Sequence, residues 1–285
     1  DDRGRVLSIY RMVDLVSAPA AQLLFPVLGI GGIAIFAVTA MAFSLSLVPI
    51  ALADRSRPAP PESFRFDLKA VWRISPNACV GVFAIGLTNS AFRLIGPIYA
   101  REMGLEVGGV ALFLAAGILG GAVLQYPFGW MSDRIDRRWP IVLSSTGAVL
   151  AGLFLSLSPI NDAATLYAGA FVFGAFALPL YSLSLAHAND RTEKSQMLLV
   201  SAGLLFLFSI GATLGPLIAS VVIQRYGAPA FFIYTSAVHS VLIVSSFVRM
   251  AQNPTAPAAQ RARFVAFMPT SPAIFRLAKR QRNKR

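Results

Sequence analysis

The chain has 285 residues, 56% of them hydrophobic and only 13% charged, with a net charge of +12. A water-soluble domain carries about 25% charged residues, so this composition excludes an ordinary soluble fold. The cations sit in short clusters between apolar runs, an arrangement unlike a nucleic-acid-binding face, and the single cysteine, Cys79, excludes an internal disulfide and a thiolate metal cluster.

Crossing a hydrocarbon layer of about 30 Å takes roughly 20 apolar residues of helix. Eight segments meet that need in chain order. Helix one is predicted over Val6 to Leu28 and helix two over Gly31 to Ala53, joined by a very short turn. A Pro-rich, charged stretch from Asp54 to Ser75 follows. Helix three is predicted over Pro76 to Ala100, four over Val107 to Trp130, five over Pro140 to Ser158 and six over Ala163 to Ala188. Helix seven runs from Gln196 to Gln224 and helix eight from Pro229 to Met250, before a basic, Pro-containing tail. Residues 226–248 contain no Lys, Arg, Asp or Glu at all. The fold class expected is an all-α polytopic membrane protein.

Every second connection is basic. The stretch from Asp54 to Ser75, the loop with Arg134, Arg137 and Arg138, the pair Arg191 and Lys194, and the tail carry the cations; the other connections carry only Arg101 and Arg225. Lys and Arg accumulate on cytoplasmic loops, which predicts that both ends of this chain are cytoplasmic. Six helices follow the charged linker and two precede it, and the chain starts at Asp1 inside a charged stretch. That predicts an N-terminally truncated piece of a larger protein.

The most specific motif is Gly129-Trp130-Met131-Ser132-Asp133-Arg134-Ile135-Asp136-Arg137-Arg138, between helices four and five. A compact acid–arginine set between two rigid helices can form in one state and break in another. The motif resembles the Gly-x-x-x-Asp-Arg-x-Gly-Arg-Arg signature of the major facilitator superfamily of transporters, with Asp136 where the family prefers Gly. Asn89 and Arg93, the run from Gly96 to Glu102, Leu119-Gly120-Gly121, Leu124 to Pro127, and His187 to Asp190 look like the YcaD-like branch of that superfamily.

The resemblance implies two six-helix bundles joined by a cytoplasmic loop. Residues 1–53 would then be the last two helices of the first bundle, 54–75 the linker, 76–250 the complete second bundle and 251–285 a cytoplasmic tail. It implies a small-molecule solute, a bacterial inner membrane, no cofactor and alternating access. Its gate would use Gly129, Asp133, Arg134, Arg137 and Arg138, with Asp190 at the end of helix six as a further partner.

Arg93 is the one full charge well inside an apolar run. A charge at mid-helix costs about 2.5–3.5 kcal/mol on insertion scales, so it usually faces a cavity. Asn89 lies one turn earlier on the same face. Gln125 and Tyr126 on helix four, and Tyr181 after Pro179 on helix six, are further candidates for a solute-binding wall. The competing interpretation is that Arg93 reaches the outer surface and that the others serve helix packing. His187 and His239 lack metal-ligand spacing, and no metal site is expected. The tail from Arg276 to Arg285 holds six cations and no acid, which would attract anionic lipid.

No Asp or Glu lies deep in a span, so the sequence leaves the coupling ion open. A phosphate-binding Gly-rich Lys motif, His-Glu-x-x-His and Gly-x-Ser-x-Gly are all lacking, which disfavours ATP-driven transport and membrane enzymes. A non-transporting sensor on the same scaffold is the alternative.

Overall fold

The computed structural model describes residues 32–52, 66–158 and 162–252, together with Ser17, residues 20–24 and residues 27–28. Most of predicted helix one, residues 54–65 and the basic tail lie outside the described residues. Among the described residues every regular element is helical: α1 Ile33–Leu52, α2 Leu68–Ile74, α3 Pro76–Leu94, α4 Gly96–Glu102, α5 Val107–Arg134, α6 Arg138–Leu157, α7 Ala163–Ala177, α8 Leu180–Asn189, α9 Met197–Tyr226 and α10 Ala230–Gln252.

Among the described residues, five spans are long and apolar enough to cross a membrane: α5, α6, α7 with α8, α9 and α10. The bent pair α2 and α3 makes a sixth when taken as one span. This is an integral membrane protein.

Local chemistry sets the helix ends. Asp67 accepts a hydrogen bond from the Ala70 N–H (3.1 Å) and starts α2. Asp162 accepts from the Thr165 N–H (2.8 Å) and starts α7. Both are side-chain caps for otherwise unpaired amides. Gly227, at φ +84°, closes α9 with a backbone turn that a side chain would strain.

Three features depart from the sequence expectation. The linker ends in a helix: α2 meets α3 at 111°, so it runs across the bundle rather than along it. Val71 of α2 is fully buried while Trp72 is 46% exposed, and a Cβ on Gly203 of α9 would meet the Val71 side chain. Second, predicted helix three is interrupted at Ile95, where Pro97 has no N–H to donate back one turn. Third, predicted helix six breaks at Leu178 and Pro179 for the same reason.

Counting α3 with α4 and α7 with α8, residues 76–252 form six consecutive spans. The first packs chiefly on the fifth (α3 on α9), the second on the fourth (α5 on α7) and the third on the sixth (α6 on α10). Rotating the first three spans onto the last three leaves that set of pairs unchanged. The two triplets start on opposite faces, so they are inverted repeats of the kind common in transporters.

Lipid gives helices no hydrophobic drive to associate, so close approach of small residues matters. The two symmetry-matched contacts both use glycine. A Cβ on Gly174 of α7 would collide with the Gly117 carbonyl of α5, and one on Gly211 of α9 with the Phe83 carbonyl of α3. An aromatic core fills the end away from the basic loops: Phe92, Tyr99, Phe113, Phe173, Phe231 and Phe232. The Tyr99 hydroxyl there donates to the Leu155 carbonyl at 3.0 Å.

Candidate functional site

Two regions gather chemistry. One is the basic end of the bundle, built on the loop between α5 and α6. Helix α5 carries Gly129, buried, and Ser132, fully buried, into its last turn. Asp136 then accepts from the Arg138 backbone N–H (3.1 Å) and so caps the start of α6. The same carboxylate binds the Arg138 side chain, through Nε to Oδ2 at 2.9 Å and Nη2 to Oδ2 at 2.5 Å. Asp136 stands where the resembled signature has Gly, and the structure gives it a definite job: it fixes Arg138. Arg138 Nη1 also donates to the Arg249 carbonyl at the end of α10 (3.0 Å).

Arg137 is 2% exposed and grips Asp190, just past the end of α8, with two parallel bonds: Nε to Oδ2 at 2.5 Å and Nη2 to Oδ1 at 3.2 Å. Its third nitrogen, Nη1, donates to Ser132 Oγ at 2.9 Å. Asp133 adds a longer ion pair, 3.7 Å to Nη2. A planar guanidinium forked onto a carboxylate is the strongest common ionic geometry. Arg134 turns outward instead. Its guanidinium carbon lies 3.8 Å from the Trp130 ring centre, a cation–π contact, and Nη1 donates to the Trp130 carbonyl at 3.4 Å. The loop, the α8 end and the α10 end are thus tied by arginines.

The second region is a cleft lined by Gln22, Phe92, Arg93, Leu114, Ile118 and Leu178. Arg93 is the one charged residue in that lining. It sits in the last turn of α3, just before the Ile95 break. Gln22 comes from the N-terminal segment, so the cleft has walls from both sides of the linker.

The other wall candidates fall elsewhere. Asn89 is half-buried on α3 and does not line the cleft. Gln125 is buried on α5, and its Nε2 has no hydrogen-bond partner among the described residues. Tyr126, its neighbour, is 78% exposed on the opposite side. Tyr181 is buried in the core, edge-on to Phe208 of α9 with ring centres 5.3 Å apart. Sequence reasoning missed Gln22, Ser132 and Asp136 as parts of these two regions. The Asp136-x-Arg138 spacing was visible as a signal for the last; nothing in the sequence points to Gln22.

Residues 78–283 match the family model described as Major Facilitator Superfamily. The chain belongs to that superfamily. Relatives include an uncharacterized MFS-type transporter of Enterobacter sp. (strain 638), 25% identical over 89% of this chain and 66% of the relative. The uncharacterized MFS-type transporter YcaD of Salmonella typhi is 23% identical over 89% of this chain and 65% of its own length. The chain therefore spans just under two thirds of the length of these curated relatives, and the likeness to the YcaD-like branch holds over most of it.

Proposed function

We propose that this chain supplies the second bundle, and the last two helices of the first, of a secondary transporter that moves a small solute across a bacterial inner membrane. Residues 1–53 belong to the first bundle, 54–75 to the linker, 76–250 to the second bundle and 251–285 to a cytoplasmic tail. Both ends of the chain face the cytoplasm, a placement supported by the alternation of basic connections.

The observation that carries this reading is Arg93 in the cleft it shares with Gln22. Arg93 and Gln22 give a mostly apolar lining one cationic and one polar group, which suits a polar or anionic solute. The solute sits there, between the bundles, and rocking of one bundle against the other exposes it to each side in turn. Asn89, Gln125, Tyr126 and Tyr181 contribute to the path or to its repacking between states. Gly129, Asp133, Arg134, Arg137, Arg138 and Asp190 form the gate. The Arg137–Asp190 fork locks the basic end in one state, and its rupture accompanies the other. No nucleic acid or cofactor takes part.

The test is a thermal-shift screen of the purified protein against anionic, zwitterionic and neutral solutes, repeated with Arg93→Ala. A solute that raises the unfolding midpoint of the parent protein and not of the variant supports the reading. Solutes whose effect is identical in both place binding elsewhere and overturn it.

A further inference from the structure

A second polar cleft lies at the basic end of the bundle, away from Arg93. It is small, and its lining is Pro76, Asn77, Arg138, His187, Arg191 and Arg249. These come from the start of α3, the start of α6, the end of α8 and the segment after it, and the end of α10. The lining holds three arginines and a histidine and no carboxylate. We propose that this cleft binds a phosphate group, presented by an anionic lipid headgroup or free in solution.

Burial makes the cleft a built site rather than a surface patch. Arg138 and Asn77 are each 2% exposed and His187 is 5% exposed. The Asn77 carboxamide is held in place: its Oδ1 accepts from Ser246 Oγ at 3.2 Å. Its Nδ2 has no hydrogen-bond partner among the described residues. Buried donors without acceptors are rare in folded proteins and call for a ligand or ordered water. An anion oxygen is the missing acceptor.

Charge points the same way. The cleft sits at the N-terminus of α3, a helix of 19 residues, where backbone N–H groups and the helix dipole favour an anion. Asp136 and Asp190 are the carboxylates beside it, and each is engaged by an arginine, Asp136 by Arg138 and Asp190 by Arg137. Burial and the neighbouring Arg138 hold the Arg191 guanidinium below its usual pKa, with Asp136 and Asp190 opposing. An anion between those cations relieves that repulsion. Donors converging from several helices suit a tetrahedral group with several acceptor oxygens better than a planar or monatomic anion.

Position favours the headgroup level of a bilayer. All three tryptophans, Trp72, Trp130 and Trp139, are about half exposed and lie at the same basic end, where indoles anchor at the membrane interface. Arg138 joins the cleft to the signature loop through Asp136, so an occupant touches the same arginine that orders that loop.

The experiment measures the unfolding midpoint of the purified full chain in neutral detergent at constant ionic strength. One arm adds inorganic phosphate with sulfate-free chloride as control. The other adds phosphatidylglycerol, with phosphatidylcholine as control. A saturating ligand is expected to raise the midpoint by about 2–4 °C. A rise with inorganic phosphate assigns a soluble anion; a rise with phosphatidylglycerol alone assigns lipid. In Arg191→Gln and Arg249→Gln the ligand concentration giving half the rise should increase at least ~10-fold. Arg225→Gln, at the far end, should leave it unchanged. The rise is read relative to each variant's own unliganded midpoint, so a general loss of stability does not imitate the effect. No rise in either arm, or the same rise in all three variants, overturns the proposal.

Discussion

Removing Asp190 should destabilise the protein far more than removing any exposed charge. The Arg137 and Asp190 side chains are 2% and 4% exposed, so neither is well hydrated. Breaking a buried pair from one side typically costs about 3–5 kcal/mol, because the surviving charge has lost its partner. Here Arg137 keeps Ser132 at 2.9 Å and Asp133 at 3.7 Å, which puts Asp190→Ala near the low end, about 3 kcal/mol. Asp190→Asn keeps the shape and loses the charge assistance, for about 1.5–3 kcal/mol. Replacing both partners by apolar groups removes the orphaned charge, so Arg137→Leu with Asp190→Ala should cost clearly less than the sum of the single changes. Unfolding in mixed micelles, followed by circular dichroism, measures the parent protein and these four variants, the single Arg137→Leu among them. A cost below about 1 kcal/mol for Asp190→Ala, or additive single and double changes, would refute the reasoning.

Three further outcomes are expected. Gly174→Leu should destabilise by about 1–3 kcal/mol or more, since its side chain must displace the Gly117 backbone; Gly108→Ala, where a Cβ meets nothing within 4 Å, should be close to neutral in the same unfolding assay. The hydroxyl and N–H of Thr165 hold the Asp162 carboxyl below its usual pKa. Its folded value is thus lower than its unfolded one, so the capping contribution is complete above the ordinary carboxylate range and is lost as pH falls through the folded value. The stability difference between the parent protein and Asp162→Ala should therefore shrink as pH falls through the carboxylate range, and a difference unchanged by pH would contradict a charged cap. Cys79, 1% exposed, should resist a water-soluble maleimide until global unfolding, which mass spectrometry of the labelled chain would follow.

The spans from α3 to α10 were legible because lipid demands long, charge-free helices, and few other patterns produce them. The helix breaks at Ile95 and Leu178 were half legible: Pro97 and Pro179 were plain, but membrane helices often carry proline unbroken, and only packing decides. Helix α2 escaped notice because seven residues with Lys69 and Arg73 look like the rest of a charged linker; its buried Val71 is a tertiary fact. At the basic end, Asp190 was named as a partner from its position alone, while the choice among Arg137, Arg138 and Asp133 needed coordinates. Asp136 read as a departure from a signature and proved to hold Arg138. At the wall of the Arg93 cleft, residue type was a weak guide. Tyr181 and Gln125 are polar and mid-span, yet one packs into the core and the other lies buried beside an exposed Tyr126. Which face a helix turns toward a cleft depends on its neighbours, and one sequence does not state them.

The central claim is that the Arg93 cleft opens to each side of the membrane in turn. Gln22→Cys in a Cys79→Ser background places a thiol in that cleft, and the Cys79→Ser protein without it gives the background labelling. The measurement is the labelling of that thiol by a membrane-impermeant maleimide in right-side-out and inverted vesicles containing the intact protein. Alternating access predicts labelling from both sides, with a locked Arg137–Asp190 fork favouring one of them and Asp190→Ala shifting the ratio. Labelling from one side only, unchanged by Asp190→Ala, would contradict the account.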